Sequence, residues 1–237
     1  MPLTFPSHPA AVLPLKTWRP RWFDGVALAV GSMAPDLAYA LDGSGLPVWP
    51  LSHQVVGLVG WCLPLTLVLT CLIRRAAPVL AGHLPDAGPL ALRDYGALRT
   101  ARHRWPITVC SALVGAASHL ILDRLEFVVP ASQNIMHVLG TVTLAAVAVD
   151  LGRRRLIHRW HGDPPPVPRR PVLFWTIAAS VALPLIALTP FLPGASLSHT
   201  TGARLLCACG AGLLTAALSL FRPEPAAQGR YGRPGYR

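Results

Sequence analysis

Six stretches of this chain approach the length and apolarity that a helix needs to cross a bilayer. They constrain the fold more than any other feature. A spanning helix takes about 20 mostly apolar residues. The candidate runs are Phe23–Leu41, Val55–Ile73, Ile107–Leu122, Ile135–Leu151, Val172–Leu192 and Ala203–Phe221. The third and fourth are short, Pro184 should kink the fifth, and Gly210 and Gly212 give the last a small-residue face for close helix packing. Only 13% of the residues are charged, against roughly 25% in soluble globular proteins. A soluble fold would lack the charge to cover its surface. The expectation is an all-α, polytopic transmembrane bundle of about six spans.

The basic residues set a topology. Lys16, Arg19 and Arg21 precede the first run. Arg74, Arg75, Arg93, Arg99, Arg102 and Arg104 follow the second, and Arg153, Arg154, Arg155, Arg159, Arg169 and Arg170 follow the fourth. Arg222, Arg230, Arg233 and Arg237 lie in the tail, so only Arg124 and Arg204 of the 21 basic residues fall in the other connections. By the positive-inside rule both termini are then cytoplasmic, and the first, third and fifth connections face outward. The net charge of +11 is accordingly read as charge beside a membrane. Without interleaved aromatic and basic residues it does not describe a nucleic-acid surface.

The five cysteines lie inside apolar runs and form no C-x-x-C pair, which leaves no zinc-knuckle or redox motif. The first twenty residues, punctuated by prolines and with their positive charge after the apolar stretch, do not read as a cleavable leader. The chain divides into a membrane domain at 1–151, a basic, Pro-rich cytoplasmic linker at 152–171, a C-terminal pair of spans at 172–221 and a disordered basic tail at 222–237. A short surface helix is expected near Pro89–Arg102, and Asp163–Arg170 should be an extended spacer. His83, His103, His158 and His161 lie among arginines and read as solvated. Asp24 should pair with Arg21 or open the first helix.

Ionisable groups in membrane segments are costly, about 2.5–3.5 kcal/mol each on insertion scales, so their positions are informative. Asp36 ends the first run, His53 opens the second, His119 and Asp123 end the third, and Gln133, Asn134 and His137 open the fourth. All lie toward the outward side of the charge-derived topology. His119 and Asp123 are spaced i, i+4 and share a helix face. Asp36 and His53 flank one short connection. Two His and two Asp form a mixed nitrogen and oxygen set suited to a divalent metal such as zinc, which acidifies a bound water when a coordination position is left open. Single residues of this kind also serve as helix caps or interfacial groups.

The segments Phe5-Pro6-Ser7-His8-Pro9, Gly31-Ser32-Met33-Ala34-Pro35-Asp36, Ser52-His53 and Gly115-Ala116-Ala117-Ser118-His119-x-x-x-Asp123 resemble a bacterial membrane family, domain of unknown function 4184. The likeness runs from about Met1 to Leu151. Their order also resembles the wider group of membrane-bound metal-dependent hydrolases, and more distantly the helical zinc-dependent phospholipase C and nuclease superfamily. The resemblance implies metal ligands at His8, Asp36, His53, His119 and Asp123 and places the chain in a bacterial inner membrane. For His8 to reach an outward site past the cytoplasmic Lys16–Arg21 cluster, Pro9–Leu15 must form a re-entrant or surface-lying arm, roughly 15 Å long if helical.

The functional expectation is a metal-dependent hydrolase acting on a phosphoester or lipid-derived substrate at the outward face, with Asp36 or Glu126 as general base. No nucleophile-elbow or Ser-His-Asp order supports serine chemistry. Two alternatives use the same residues: a transporter handling ions or protons, and a non-catalytic membrane scaffold.

Overall fold

A computed structural model describes residues 7–85, 88–101, 103–128 and 132–221, apart from the side chains of 126 and 132–134. The predicted disordered tail and the side chains of Glu126, Gln133 and Asn134 lie outside the described residues. The helices are α1 (Ser7–Trp18), α2 (Gly25–Leu37), α3 (Val48–Ser52), α4 (Val55–His83), α5 (Trp105–Val128), α6 (Ser132–Arg153), α7 (Leu156–His161), α8 (Pro171–Leu188) and α9 (Ser198–Ser219). No strand occurs among the described residues. The protein is a polytopic helical bundle. Five helices are long and apolar enough to span a bilayer, and a shorter apolar one covers Gly25–Leu41. Valines at 55, 56, 59, 138 and 142 and leucines at 139 and 183 are exposed on these helices, whereas many of the fully buried positions are small: Ala27, Ala34, Ala76, Ala116, Ala216. That inversion suits helices that meet lipid outside and each other through small residues.

Several boundaries differ from the apolar runs. The third and fourth runs are not short helices. α5 and α6 take in polar flanks such as Asp123 and Arg124, which helix geometry accommodates without loss of backbone bonding. α4 continues past Ile73 through Arg74 and Arg75, good helix formers, to His83. The first run instead tightens into a 3-10 turn at Ala38–Leu41, just past Pro35. Around Pro89–Arg102 the chain makes 3-10 turns at Gly88–Leu90 and Leu92–Arg99. The second is fastened by Asp94, which accepts two 2.5 Å bonds from the Arg155 guanidinium.

α1 and α2 form an antiparallel hairpin, the arm that a role for His8 requires. Its open end brings His8 near Asp36. At its turn Lys16 Nζ donates to the carbonyls of Pro20 (2.7 Å) and Phe23 (2.9 Å). α2 lies directly against α5. A Cβ on Gly31 would meet the Ala112 carbonyl, and one on Gly115 would meet the Leu28 carbonyl and lie 2.8 Å from the Ser32 nitrogen. At the turn end, Asp24 caps α2 and accepts from Arg74 (2.6 Å) and Thr108 (2.8 Å), while its own N–H donates to Ser111 (2.9 Å). Its partner is therefore Arg74 from α4 and not Arg21.

α8 and α9 pack as a second hairpin, their contact centred on Phe174, Ala178, Ala216 and Ala217 with Ala76 and Val79 of α4. The extended segment before α8 joins this core through Val167. His83 is buried, contrary to the solvated reading. It stacks on Phe174 at 4.5 Å, and its Nε2 accepts from the Arg170 N–H (2.9 Å), because α4 extends far enough for the linker to fold over its end. His161 and His103 are partly buried beside Lys16 as well, with ring centroids 6.2 Å apart.

Two outcomes follow. Gly115→Leu should destabilise the bundle by about 3 kcal/mol in thermal unfolding in detergent, the upper end for overpacking, because the clash is with backbone and not with a movable side chain. The second concerns pH. Burial first, then the charges of Lys16, His103 and Arg74, opposed by Asp24, hold His161 down at about 4 from 6.5. A His depressed by folding stabilises the fold above its unfolded pKa and loses that contribution as pH falls. The unfolding midpoint should drop between about pH 6.5 and 4, and His161→Gln should flatten the drop.

Candidate metal centre

Five side chains from four elements meet at the open end of the α1–α2 hairpin. α1 brings His8 and α2 brings Asp36. His53 stands just after α3, in the tight reversal into α4, where a Cβ on Gly57 would run into the Leu51 carbonyl. α5 brings His119 and Asp123 on one face. His119 Nε2 lies 3.3 Å from Asp36 Oδ1 and 3.2 Å from Asp123 Oδ2, and His53 Nε2 lies 3.4 and 3.5 Å from the same two oxygens. His8 Nε2 is farther out, 3.9 Å from each carboxylate, with its ring stacked on His119 at 3.8 Å.

The outer bonds of two imidazoles fix which way they face. His119 Nδ1–H donates to the Ser32 carbonyl (2.8 Å). Ser52 Oγ gives its hydrogen to the Trp49 carbonyl and so accepts from His53 Nδ1–H (2.9 Å). In the neutral rings both Nε2 atoms are then acceptors, and both are buried without a hydrogen-bond partner. They point at carboxylate oxygens, which are also acceptors. Charge-assisted hydrogen bonds between such groups would be about 2.7–2.9 Å long, shorter than any distance here. Around a tetrahedral ion with 2.0–2.2 Å bonds, neighbouring donor atoms stand about 3.4 Å apart, which the four inner distances match. Two overlapping groups, His8–Asp36–His119 and His53–His119–Asp123, each bring one donor atom per residue within 4.8 Å of the others. These buried His and Asp groups can hold a metal ion, and the outer bonds of the imidazoles are those that orient ligands in metal sites.

A surrounding layer holds the cluster. Trp61, in a π turn at Leu58–Cys62 of α4, donates Nε1–H to the Ala34 carbonyl (3.0 Å). Tyr39 packs between His53 (5.4 Å) and His199 of α9 (4.5 Å). Arg204, also on α9, donates to the carbonyls of Ala40, Asp42 and Pro193, and Thr200 donates to Asp42. His199 carried a signal in the sequence, lying just ahead of the last apolar run on the outward side of the charge-derived topology. Tyr39 and Trp49 carry no sequence signal beyond being aromatic. His137, on α6, belongs to neither group of donors. Beside His53 and Asp123 a cleft of about 310 Å³ opens, lined also by Tyr39, Trp49, Leu120, Arg124 and Phe127.

Fold and cluster together define a multi-pass helical membrane protein with a buried His/Asp centre able to take a metal ion. The chain belongs to the family described as domain of unknown function (DUF4184), whose model matches residues 1–128 and so contains all five cluster residues. No curated protein and no solved structure is significantly similar to it.

Adding a divalent ion to chelator-treated protein should raise its thermal stability, by about 4 kcal/mol at a thousandfold excess over Kd. Zinc titration followed by thermal unfolding reads this directly, and the shift should vanish in His119→Ala and in Asp36→Ala.

Proposed function

We propose that this protein is a membrane-embedded, divalent-metal-dependent hydrolase acting on a phosphoester or lipid-derived ester at the outward face of a bacterial inner membrane, with both termini cytoplasmic. The observation that carries the reading is the set of imidazole acceptors aimed at two carboxylates beside an open cleft. His8, Asp36, His53, His119 and Asp123 are its metal ligands, zinc being the ion that best suits the donor set. A bound divalent ion supplies Lewis acidity toward a phosphoryl or carbonyl oxygen and lowers the pKa of water to about 7.

The chain's own residues then divide the remaining work. Asp36 is the deeper carboxylate, with its side chain 11% exposed against 22% for Asp123, and only Asp123 borders the cleft. Of these two ligands Asp123 therefore stands on the side from which a water would enter, its second oxygen being the one placed to accept that water's proton, with Asp36 holding the inner side. Arg124 at the mouth provides a cation for a phosphate oxygen. Trp49, Leu120 and Phe127 offer an apolar wall, and Phe127, 77% exposed, faces outward where a lipid chain would lie. Transport is the weaker reading. Between the Asp24 and Asp36 ends of α2 the interface with α5 is filled by Leu28, Gly31, Ala112 and Gly115, and the Ser32 hydroxyl there is bonded to the Ala29 carbonyl (2.9 Å).

The test is hydrolysis of bis-p-nitrophenyl phosphate and of a fluorescent phospholipid by purified protein after chelation and zinc return. Turnover should return with zinc and be absent in His119→Ala. Arg124→Gln should raise KM for the phospholipid about tenfold or more, as loss of one charged hydrogen bond implies, with kcat little changed. Equal rates in wild type and His119→Ala would sink the proposal.

A further inference from the structure

The turn end of the same hairpin, about 18 Å along α2 from the His/Asp cluster, carries a site of different composition. An apolar cavity of about 270 Å³ lies between α1, α2, α4 and α7, walled by Leu13, Val26, Val30, Leu98 and Ile157. It adjoins a wider basin of about 740 Å³ bordered by Arg21, Arg104 and Arg159. Lys16, His103, Trp160 and His161 border both and form the neck between them. No carboxylate borders the basin among the described residues. Asp24, on the cavity side, is already engaged by Arg74 and Thr108.

Lys16 is fixed in the neck. Its ammonium is bonded to the Pro20 and Phe23 carbonyls, stands 3.2 Å from His103 Nε2 and lies 5.0 Å from the Trp160 ring centroid. It contributes charge and no free donor. The guanidinium groups of Arg21, Arg104 and Arg159 are exposed around it and have the planar donor geometry that matches phosphate oxygens. A separate observation locates this basin relative to a bilayer. Trp18, Trp22 and Trp105, all more than 60% exposed, ring the same end of the bundle, and exposed tryptophans mark the headgroup level of a membrane. A basic basin at headgroup depth, with an apolar hole leading inward from it, matches an anion that carries a hydrocarbon chain.

We propose that this neck and basin bind one anionic phospholipid of the adjacent leaflet, its phosphate held by Arg21, Arg104 and Arg159 and part of one acyl chain seated in the cavity. Basic pockets between membrane helices recognise lipid headgroups in this way. Free phosphate offers the same anion without the chain, and the cavity is what favours the lipid. The site is independent of the metal centre, so it stands or falls separately from the hydrolase reading.

The experiment uses full-length, delipidated protein in detergent, with native mass spectrometry reading bound lipid. Phosphatidylglycerol should give one retained adduct, phosphatidylcholine none, and an excess of inorganic phosphate should not displace it. Arg104→Ser with Arg159→Ser should weaken retention about thirtyfold, two surface cations being lost. Val30→Phe, which fills the cavity and leaves every cation in place, should also weaken it. The unfolding midpoint and a monodisperse size-exclusion profile report that each variant is folded. Unchanged retention in both variants, equal retention of phosphatidylcholine, or displacement by inorganic phosphate overturns the proposal.

Discussion

The contact of α2 with α5 sets the position of nearly everything else. Gly31 and Gly115 allow the two backbones to touch, each glycine lying where a Cβ would enter the other helix's carbonyls. With the axes that close, short side chains reach across. At one end Asp24 meets Thr108 and Ser111, and at the other His119 meets the Ser32 carbonyl and Asp36. Larger residues at the two glycines would separate these pairs together. The small residues are thus part of the chemistry, because they set the spacing at which an imidazole and a carboxylate from different helices face each other.

α1 and α9 complete this frame from opposite sides. α1 is too short to cross a bilayer alone, and a helix of that length is stable in an apolar setting only where protein shelters it. α2, α5 and α6 provide that shelter, and Ser7 sits where a Cβ on Gly140 of α6 would fall. α9 approaches from the segment beyond the family match. Arg204 gathers three carbonyls from the α2–α3 connection and the α8–α9 connection, which stiffens the loop that carries Tyr39 against His53. The C-terminal hairpin therefore bears on the centre without donating to it.

Much of this was legible in the sequence because burying charge in a membrane is costly. Asp36, His53, His119 and Asp123 could be singled out by their depth alone, and the i, i+4 spacing of His119 and Asp123 fixed their common face. His8 needed the family resemblance, since its position depends on a hairpin that the charge pattern alone does not indicate. Helix ends were read less well. Apolar runs stop at the first arginine or aspartate, whereas helices continue through them, as α4 does past Arg74 and α5 past Asp123. His83 was misread for the same reason, its burial depending on a linker folded over a helix end that hydropathy does not reveal. The basin around Arg104 and Arg159 was invisible because those arginines read as topogenic charge, which does not distinguish scattered cations from convergent ones.

The centre also raises a question of charge balance. Two carboxylates face two imidazole nitrogens whose lone pairs are turned toward them, so the atoms at the middle of the cluster are all acceptors. In a low-dielectric setting that arrangement requires positive charge between them, supplied either by protons on the imidazoles or by a cation. One divalent ion would neutralise both carboxylates at once without turning any acceptor into a donor. Protons do so only by converting acceptors to donors, and the shortest contacts then need to contract toward 2.8 Å. The two solutions compete for the same lone pairs, so an ion bound there would keep protons off them. The four inner distances match the first solution more closely than the second.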